Sequence, residues 1–152
     1  MEDSKPVSTP MITGWKSSKD DESLEVDHIM YKSMISSLLY VAATRLDVMQ
    51  VVGLVARFQS SPKKMHLTVV KIIFKYLKGT MEYGLWYPKS QEFILKSFTD
   101  ADLEGSVDDQ KSTSGETFYL EVCLVSWSSK KKSSISLSTA EAEYIAVASH
   151  CT

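Results

Sequence analysis

Apolar residues recur with a helical period in the first half of the chain. After Asp27 they fall at positions i, i+3, i+4, i+7, i+8 and i+11, which is the spacing of one face of an amphipathic helix. The residues concerned are Tyr31, Met34, Ile35, Leu38, Leu39 and Ala42. Asp27 precedes this run and belongs to the residue types that favour the N-cap. The pattern therefore predicts a first helix that begins after Asp27 and buries that face.

Two more helices are predicted downstream. One spans about 45–59, is entered through Thr44 and carries Asp47 near its positive end. Its centre is apolar nearly all round, which predicts burial on several sides. The next helix has Pro62 in its first turn and ends at Gly79.

Lysines form a narrow ridge on this third predicted helix. They lie within about 60° of its circumference. The four residues are Lys64, Lys71, Lys75 and Lys78. One interpretation is a surface that contacts nucleic-acid phosphates. The other is a solvated helix face with no ligand.

Beyond residue 83 the pattern changes to that of strands. Short β-type runs lie at 84–87, 93–99, 117–120 and 124–128, and Pro88 ends the first of them. Trp127 lies on the last run, where core packing is the favoured interpretation. The order predicts an α+β fold in which helices precede an antiparallel sheet.

A final helix is expected after Ser138 or Thr139, either of which can cap it. Four residues of this helix share one apolar face: Ala140, Tyr144, Val147 and Ala148. The sequence therefore divides into a polar flexible arm at 1–26, a helical segment at 27–90 and a sheet with one helix at 91–152. The arm contains Pro6, Pro10 and an acidic run at 20–22.

Composition narrows the classes of function. The 152 residues carry a net charge of −2, so any contact with nucleic acid must use a local patch and is expected to be weak. Cys123 and Cys151 have no metal-binding spacing and are interpreted as free thiols of a reducing compartment. No signal-peptide pattern and no membrane-spanning apolar run is present, which predicts an intracellular protein without a membrane partner.

Two carboxylates are the candidate catalytic residues. Asp100 follows an apolar strand, and the final helix offers either Glu141 or Glu143 as the second carboxylate. Carboxylate oxygens suit Mg²⁺, and two such ions about 4 Å apart are a common device for cleaving phosphodiesters. Glu141 and Glu143 are two positions apart on a helix, so they cannot both face one metal.

Several motifs resemble the RNase H domain at the end of copia-type retrotransposon Pol polyproteins. They are SFTDAD at 97–102, KSTSG at 111–115, VSWSSKK at 125–131 and STAEAEYIA at 138–146. Residues 31–40, 56–61 and 76–87 resemble the segment that joins reverse transcriptase to RNase H. The resemblance implies a truncated RNase H-like sheet, with Asp100 and Glu143 as catalytic metal ligands.

The resemblance also implies that the metal site is incomplete. The family uses two further carboxylates beyond the final helix, and the sequence ends at Thr152. We therefore expect an inactive remnant that binds Mg²⁺ weakly at most. The family tends to have glycine near Glu121 and Val122, where the turn favours it, and the missing strand is expected to leave an open sheet edge.

A second group of lysines follows the predicted strand at 124–128. Lys130, Lys131 and Lys132 are either a basic handle for nucleic acid or a cluster that ends the strand and protects it from association.

A different class of function stays open. Copia-like fragments of this length also resemble secreted RxLR effectors of filamentous plant pathogens. That resemblance implies a non-enzymatic protein that reaches the host cytoplasm or nucleus, binds a host protein and suppresses cell death. The only arginines are Arg45 and Arg57, so the sequence contains no Arg-x-Leu-Arg, and the acidic run at 20–22 is its nearest match to the accompanying acidic motif.

Overall fold

A computed structural model describes residues 4–12, 15, 23–89, 93–102 and 109–150. The acidic run at 20–22 and Cys151 lie outside these residues. The chain divides into two compact units, Met1–Gly84 and Leu85–Thr152. The sequence predicts three parts instead of two, and that division stays a prediction. The first unit is helical and the second contains a sheet and a helix, so the predicted α+β class is confirmed.

The first unit contains three helices: α1 (His28–Ala42), α2 (Leu46–Ala56) and α3 (Lys64–Gly79). The prediction for the start of α1 is confirmed, because the Asp27 carboxylate accepts hydrogen bonds from the backbone N–H groups of Ile29 and Met30. These bonds satisfy donors that have no partner within the helix.

One apolar cluster holds the three helices together. Its fully buried members include Tyr31, Ile35, Leu38, Val52, Val70 and Ile73. The Tyr31 hydroxyl donates a 2.9 Å hydrogen bond to the backbone oxygen of Val55, and burial raises its pKa. The sequence predicts core positions for Tyr31, Leu38, Leu54, Phe74 and Leu77. Tyr31 and Leu38 lie in the core, whereas Leu54, Phe74 and Leu77 are only partly buried.

The start of α3 differs from the prediction. Pro62 precedes the helix instead of lying in its first turn, and Lys63 is the N-cap residue. The Nδ1 atom of buried His66 accepts a 3.0 Å hydrogen bond from the Lys63 N–H. His66 also stacks on Phe58, with ring centroids 4.0 Å apart. A histidine thus does the capping that sequence rules assign to other residue types.

Described residues of the N-terminal arm contact the helical core. Val7, Met11 and Trp15 are partly buried against the apolar cluster. Pro6 approaches the end of α3 so closely that a Cβ atom on Gly79 would lie 2.8 Å from the Pro6 Cβ. Gly79 is therefore the last residue of α3 and a close-approach position, while Thr80 occupies the C-cap.

A polar network around Arg45 joins the start of α2 to the end of α3. Its guanidinium forms two hydrogen bonds to the Asp47 carboxylate, at 2.9 and 2.6 Å, and two to Thr80. The Tyr76 hydroxyl donates a 2.8 Å hydrogen bond to the same carboxylate. The hydrogen bond with Arg45 lowers the pKa of Asp47 despite its partial burial. Bidentate arginine–carboxylate pairs are among the stronger polar contacts in proteins.

The second unit contains a three-stranded antiparallel sheet and α4 (Thr139–His150). The strands are β1 (Leu95–Ala101), β2 (Thr113–Leu120) and β3 (Cys123–Lys131), in the order β1-β2-β3. The predicted strand at 84–87 is wrong, because these residues have no strand pairing. The Tyr87 hydroxyl instead donates a 2.8 Å hydrogen bond to the backbone oxygen of Leu124.

The turn between β2 and β3 is strained. Leu120 pairs with Cys123, which leaves Glu121 and Val122 as the two turn residues. Glu121 has a φ of 59°, in the left-handed region that favours glycine. The expectation that this turn suits glycine better than Glu121 is therefore supported by the backbone.

Small side chains pack α4 against the sheet. Ala142 and Ala146 are buried together with Ala101 of β1. The predicted face differs from this one, since Tyr144 is 76% exposed and Val147 is also exposed. The helix thus has two apolar faces, of which the one lined by alanines lies against β1.

We predict that Asp47→Asn lowers the free energy of unfolding by about 1 to 2 kcal/mol at pH 7, because it weakens the charged hydrogen bonds to Arg45. The pKa of Asp47 is lower in the folded protein than in the unfolded chain. The ionised carboxylate therefore adds to the free energy of unfolding at any pH above the unfolded-state pKa, and this stabilisation is lost as the pH falls through the folded-state pKa. Urea unfolding should therefore show a difference between wild type and variant that shrinks below about pH 4. Glu82→Gln, at an exposed position of the same unit, is the control and should have no comparable effect.

We predict that Glu121→Gly stabilises the β2–β3 hairpin by about 1 kcal/mol, because glycine adopts a positive φ without steric cost. Amide hydrogen exchange of β2 and β3 measures the change. Val122→Gly is the matched control: it adds chain entropy without relieving a positive φ, so it should destabilise the hairpin. Equal effects of both variants would contradict the strain at Glu121.

Candidate metal and nucleic-acid sites

The two predicted metal ligands flank the contact between β1 and α4. Asp100 is next to Ala101, and Glu143 is next to Ala142, and these two alanines belong to one buried cluster. The structure therefore brings the backbone at both positions into the same neighbourhood. Both carboxylate-bearing residues are exposed.

The side chain of Asp100 belongs to the other face of the sheet. Successive side chains of a strand alternate between faces, and Ala101 faces α4. Asp100 pairs with Gly115 across the ladder, and its Oδ1 accepts a 2.9 Å hydrogen bond from the Ala101 N–H. Its carboxylate thus lies beside the backbone of the strand edge, away from the face that α4 covers.

The structure separates the roles of the two glutamates in α4. The Glu141 carboxylate accepts a 2.7 Å hydrogen bond from the Leu137 N–H, and the Ser138 Oγ accepts one from the Glu141 N–H. This arrangement resembles a capping box and satisfies backbone donors at the start of the helix. The prediction that Ser138 or Thr139 caps α4 is confirmed for Ser138. Glu141 serves the helix terminus, so Glu143 is the remaining candidate ligand.

Asp102 also has a structural role. Its Oδ1 accepts a hydrogen bond from the Thr113 N–H, and its own N–H donates to the Thr113 oxygen at 3.1 Å. These bonds extend the pairing of β1 and β2 by one residue. The carboxylate of Asp102 is therefore engaged with the backbone.

Within the described residues, no group of three or more histidine, cysteine, aspartate or glutamate side chains could hold a metal ion. Mg²⁺ usually takes one or two carboxylates together with water and substrate oxygens. Asp100 and Glu143 each supply one carboxylate, but the two side chains point in different directions. Their role as metal ligands stays a prediction.

Sequence reasoning missed a set of buried hydroxyl groups in the second unit. Ser112 and Ser136 are buried, and Thr99 is half-buried on the face of β1 that carries Ala101. Their hydroxyl oxygens have no hydrogen-bond partner in the part of the chain that the structure describes. Serine and threonine are common on surfaces, so nothing in the sequence marked these residues.

The lysine ridge follows one side of α3. Lys64, Lys71 and Lys78 are exposed, and Lys75 is half-buried. The Lys78 ammonium donates a 3.2 Å hydrogen bond to the backbone oxygen of Ser4. The ridge therefore presents several ammonium groups on one face, with the arm contacting its C-terminal end.

The second lysine group makes several contacts within its own unit. The Lys131 Nζ lies 2.7 Å from Asp109 Oδ1. The Lys132 Nζ donates a 2.6 Å hydrogen bond to the Ser149 Oγ, and its N–H donates to the Ser112 oxygen. Lys130 is exposed. These contacts favour the interpretation that the group ends β3, although both interpretations stay predictions.

None of the helices in the described part of the chain has the length and apolar character needed to cross a bilayer. No protein-family profile matches the chain, and no solved structure matches it.

Known proteins resemble the chain over most of its length. The Retrovirus-related Pol polyprotein from transposon TNT 1-94 of Nicotiana tabacum is 40% identical over 153 aligned positions, which cover 96% of this chain and 11% of that protein. The corresponding polyprotein from transposon RE1 of Arabidopsis thaliana is 38% identical over 144 positions, covering 95% of this chain and 10% of that protein. The chain thus spans about a tenth of the length of these polyproteins.

A shorter relative is matched over most of its own length. Secreted RxLR effector protein 161 of Plasmopara viticola is 36% identical over 121 residues, which are 79% of this chain and 85% of that protein. The similarity to the transposon proteins extends over nearly the whole chain, including both units. The chain belongs to the family of copia-type Pol polyprotein sequences, and it is also similar to the Plasmopara viticola protein.

Proposed function

We propose that Leu85–Thr152 is related to the RNase H part of a Pol polyprotein, and that the 152-residue chain alone does not cleave RNA–DNA hybrids. The contact of Ala101 with Ala142 and Ala146 is the observation that carries the relation. It brings the strand that bears Asp100 against the helix that bears Glu143. Strand, hairpin and helix follow in the order that the sequence motifs imply.

The orientation of Asp100 supports the absence of activity. The side chain of Asp100 belongs to one face of the sheet. Glu143 belongs to α4, and this helix covers the opposite face. Together they would hold Mg²⁺ weakly at most, because the ion requires near-octahedral geometry and the described residues add no third side-chain ligand. When bound in full sites, two such ions stabilise the attacking and leaving oxygens of a phosphodiester.

We also propose that the α3 lysines contact nucleic acid weakly. Exposed Lys64, Lys71 and Lys78 provide a positive stripe on a chain whose net charge is −2. Phosphate contacts of this kind release counterions, so binding weakens steeply as salt rises. Lys130 is the exposed member of the second lysine group and is the position there that could add to such a surface.

A second candidate function is non-enzymatic binding to a host protein. The observation that favours it is the share of each relative's length that the chain matches. This share is 85% for the effector protein and about a tenth for the Pol polyproteins. In this case the chain would act inside a host cell after delivery, by contacts that require neither Asp100 nor a metal. It would do so without an Arg-x-Leu-Arg motif, which the sequence does not contain.

We predict that the purified chain leaves a labelled RNA–DNA hybrid intact in the presence of Mg²⁺ or Mn²⁺. The reason is that Asp100 and Glu143 cannot fix two metals. Asp100→Asn is the contamination control. Cleavage by wild type that disappears in the variant would contradict the proposal.

Wild type and Asp100→Asn also test the second candidate function, which is non-enzymatic binding to a host protein. In a host cell-death assay, a non-enzymatic effector should suppress death equally with aspartate or asparagine at position 100. Loss of suppression in Asp100→Asn, or no suppression by either protein, would argue against that function.

We predict that Lys71→Gln with Lys78→Gln weakens binding to a single-stranded oligonucleotide and flattens its salt dependence. Each lost phosphate contact should reduce the slope of log affinity against log salt by about 0.7. Fluorescence anisotropy over a salt series measures this slope. Lys32→Gln, an exposed lysine of α1, is the matched control and should leave the slope unchanged. Tight binding that ignores salt would contradict the electrostatic mechanism.

A further inference from the structure

The sheet of the second unit has two edge strands, and they differ in protection. The strand order β1-β2-β3 makes β1 and β3 the edges among residues 93–102 and 109–150. At the β3 edge, the Tyr87 hydroxyl donates to the Leu124 oxygen, and Lys130 and Lys131 lie at the end of the strand. Lysines and covering segments are common devices that prevent edge strands from pairing with other chains.

The described part of the β1 edge is less protected and has Lys96 as its one lysine. Its segment at 93–101 contains no proline or glycine and balances Lys96 against Asp100. Leu95 is 66% exposed and Phe98 is 61% exposed. An exposed β-prone segment with apolar side chains and no net charge is a template for pairing with another strand.

Backbone directions identify the groups that face outward along β1. The Glu121 N–H donates to the Ile94 oxygen, and the Asp102 N–H donates to the Thr113 oxygen. Residues 94 and 102 therefore direct their backbone groups toward β2, and the pairing register between them is regular. Because these directions alternate, residues 95, 97, 99 and 101 direct their N–H and C=O groups to the free edge.

We propose that the partner of this edge is a second copy of the chain, paired antiparallel through β1 about a two-fold axis at Phe98. The sequence of β1 is complementary to itself in this register. Lys96 of each copy lies opposite Asp100 of the other, and Phe98 lies opposite its own symmetry mate. Opposite charges and aromatic pairs directly across a ladder stabilise strand pairing, whereas like charges oppose it.

The same register matches the outward-facing backbone groups. It pairs Leu95 with Ala101 of the second copy and Ser97 with Thr99, and all four positions direct their hydrogen-bonding groups outward. Exposed Leu95 is then placed beside Ala101 of the second copy, on the sheet face that α4 covers. The two-fold axis makes the surface isologous and closed, so pairing stops at a dimer with a six-stranded sheet.

One existing contact must change when the strands pair. The Ala101 N–H now donates to the Asp100 carboxylate. In the dimer this N–H donates to the Leu95 oxygen of the second copy, and the released carboxylate accepts from the Lys96 ammonium. A neutral-to-charged contact is replaced by a backbone hydrogen bond and an ion pair, so no polar group is left unpaired.

Exchanging the charges of Lys96 and Asp100 tests the proposed pairing register of the two β1 strands. Sedimentation equilibrium of the 152-residue chain should detect a reversible dimer. Lys96→Asp and Asp100→Lys each place like charges opposite one another and should weaken dimerisation roughly tenfold or more. The double variant, Lys96→Asp with Asp100→Lys, restores opposite charges and should regain the wild-type dissociation constant. A monomeric wild type, or a dimer that is insensitive to these changes, would overturn the proposal.

A disulfide tests the position of the axis. Residues in a non-hydrogen-bonded antiparallel pair have Cα atoms about 4.5 Å apart, which is within disulfide range. With Cys123 and Cys151 replaced by alanine, Phe98→Cys should therefore form a disulfide-linked dimer on mild oxidation. Val122→Cys, which is exposed at the hairpin turn, is the control and should form no disulfide-linked dimer under the same conditions. Equal cross-linking of both variants would mean random collision and would contradict the register.

Discussion

The contact of Ala101 with Ala142 and Ala146 is the interaction on which the second unit depends. Three methyl side chains allow the helix backbone to approach the strand closely, and among residues 93–102 and 109–150 no larger apolar side chain shares this cluster. The contact fixes which face of β1 is covered. By the alternation of side chains along a strand, it also fixes that Asp100 and Phe98 belong to the opposite face. The direction of the candidate metal ligand is thus a consequence of where three alanines pack.

The two units are stabilised in different ways. The helical unit buries a large apolar cluster and adds the Arg45–Asp47–Tyr76 network between α2 and α3. The described part of the sheet unit buries alanines, hydroxyl groups, Cys123 and Leu124, while large apolar side chains such as Leu137 remain exposed. Apolar surface of this kind usually marks contact with other polypeptide.

The helices could be predicted from the sequence wherever periodicity and capping agreed, as at Asp27. The start of α3 could not, because His66 is not a typical capping residue and its role depends on stacking against Phe58. The 84–87 segment has strand-like composition, but composition does not supply a partner strand, and Tyr87 uses its hydroxyl instead. In α4 periodicity selected the bulky face, whereas packing selected Ala142 and Ala146, which hydrophobicity hardly distinguishes.

The position of Asp100 was predictable from its motif, but its surroundings depend on register. Pairing with β2 turns the backbone of Asp100 inward and leaves its carboxylate beside the free edge, where it accepts from the Ala101 N–H. A metal ion and the Lys96 ammonium of a second copy would compete for that carboxylate, since each requires its negative charge. The proposed association through β1 and the predicted metal binding at Asp100 would therefore be alternative uses of one carboxylate.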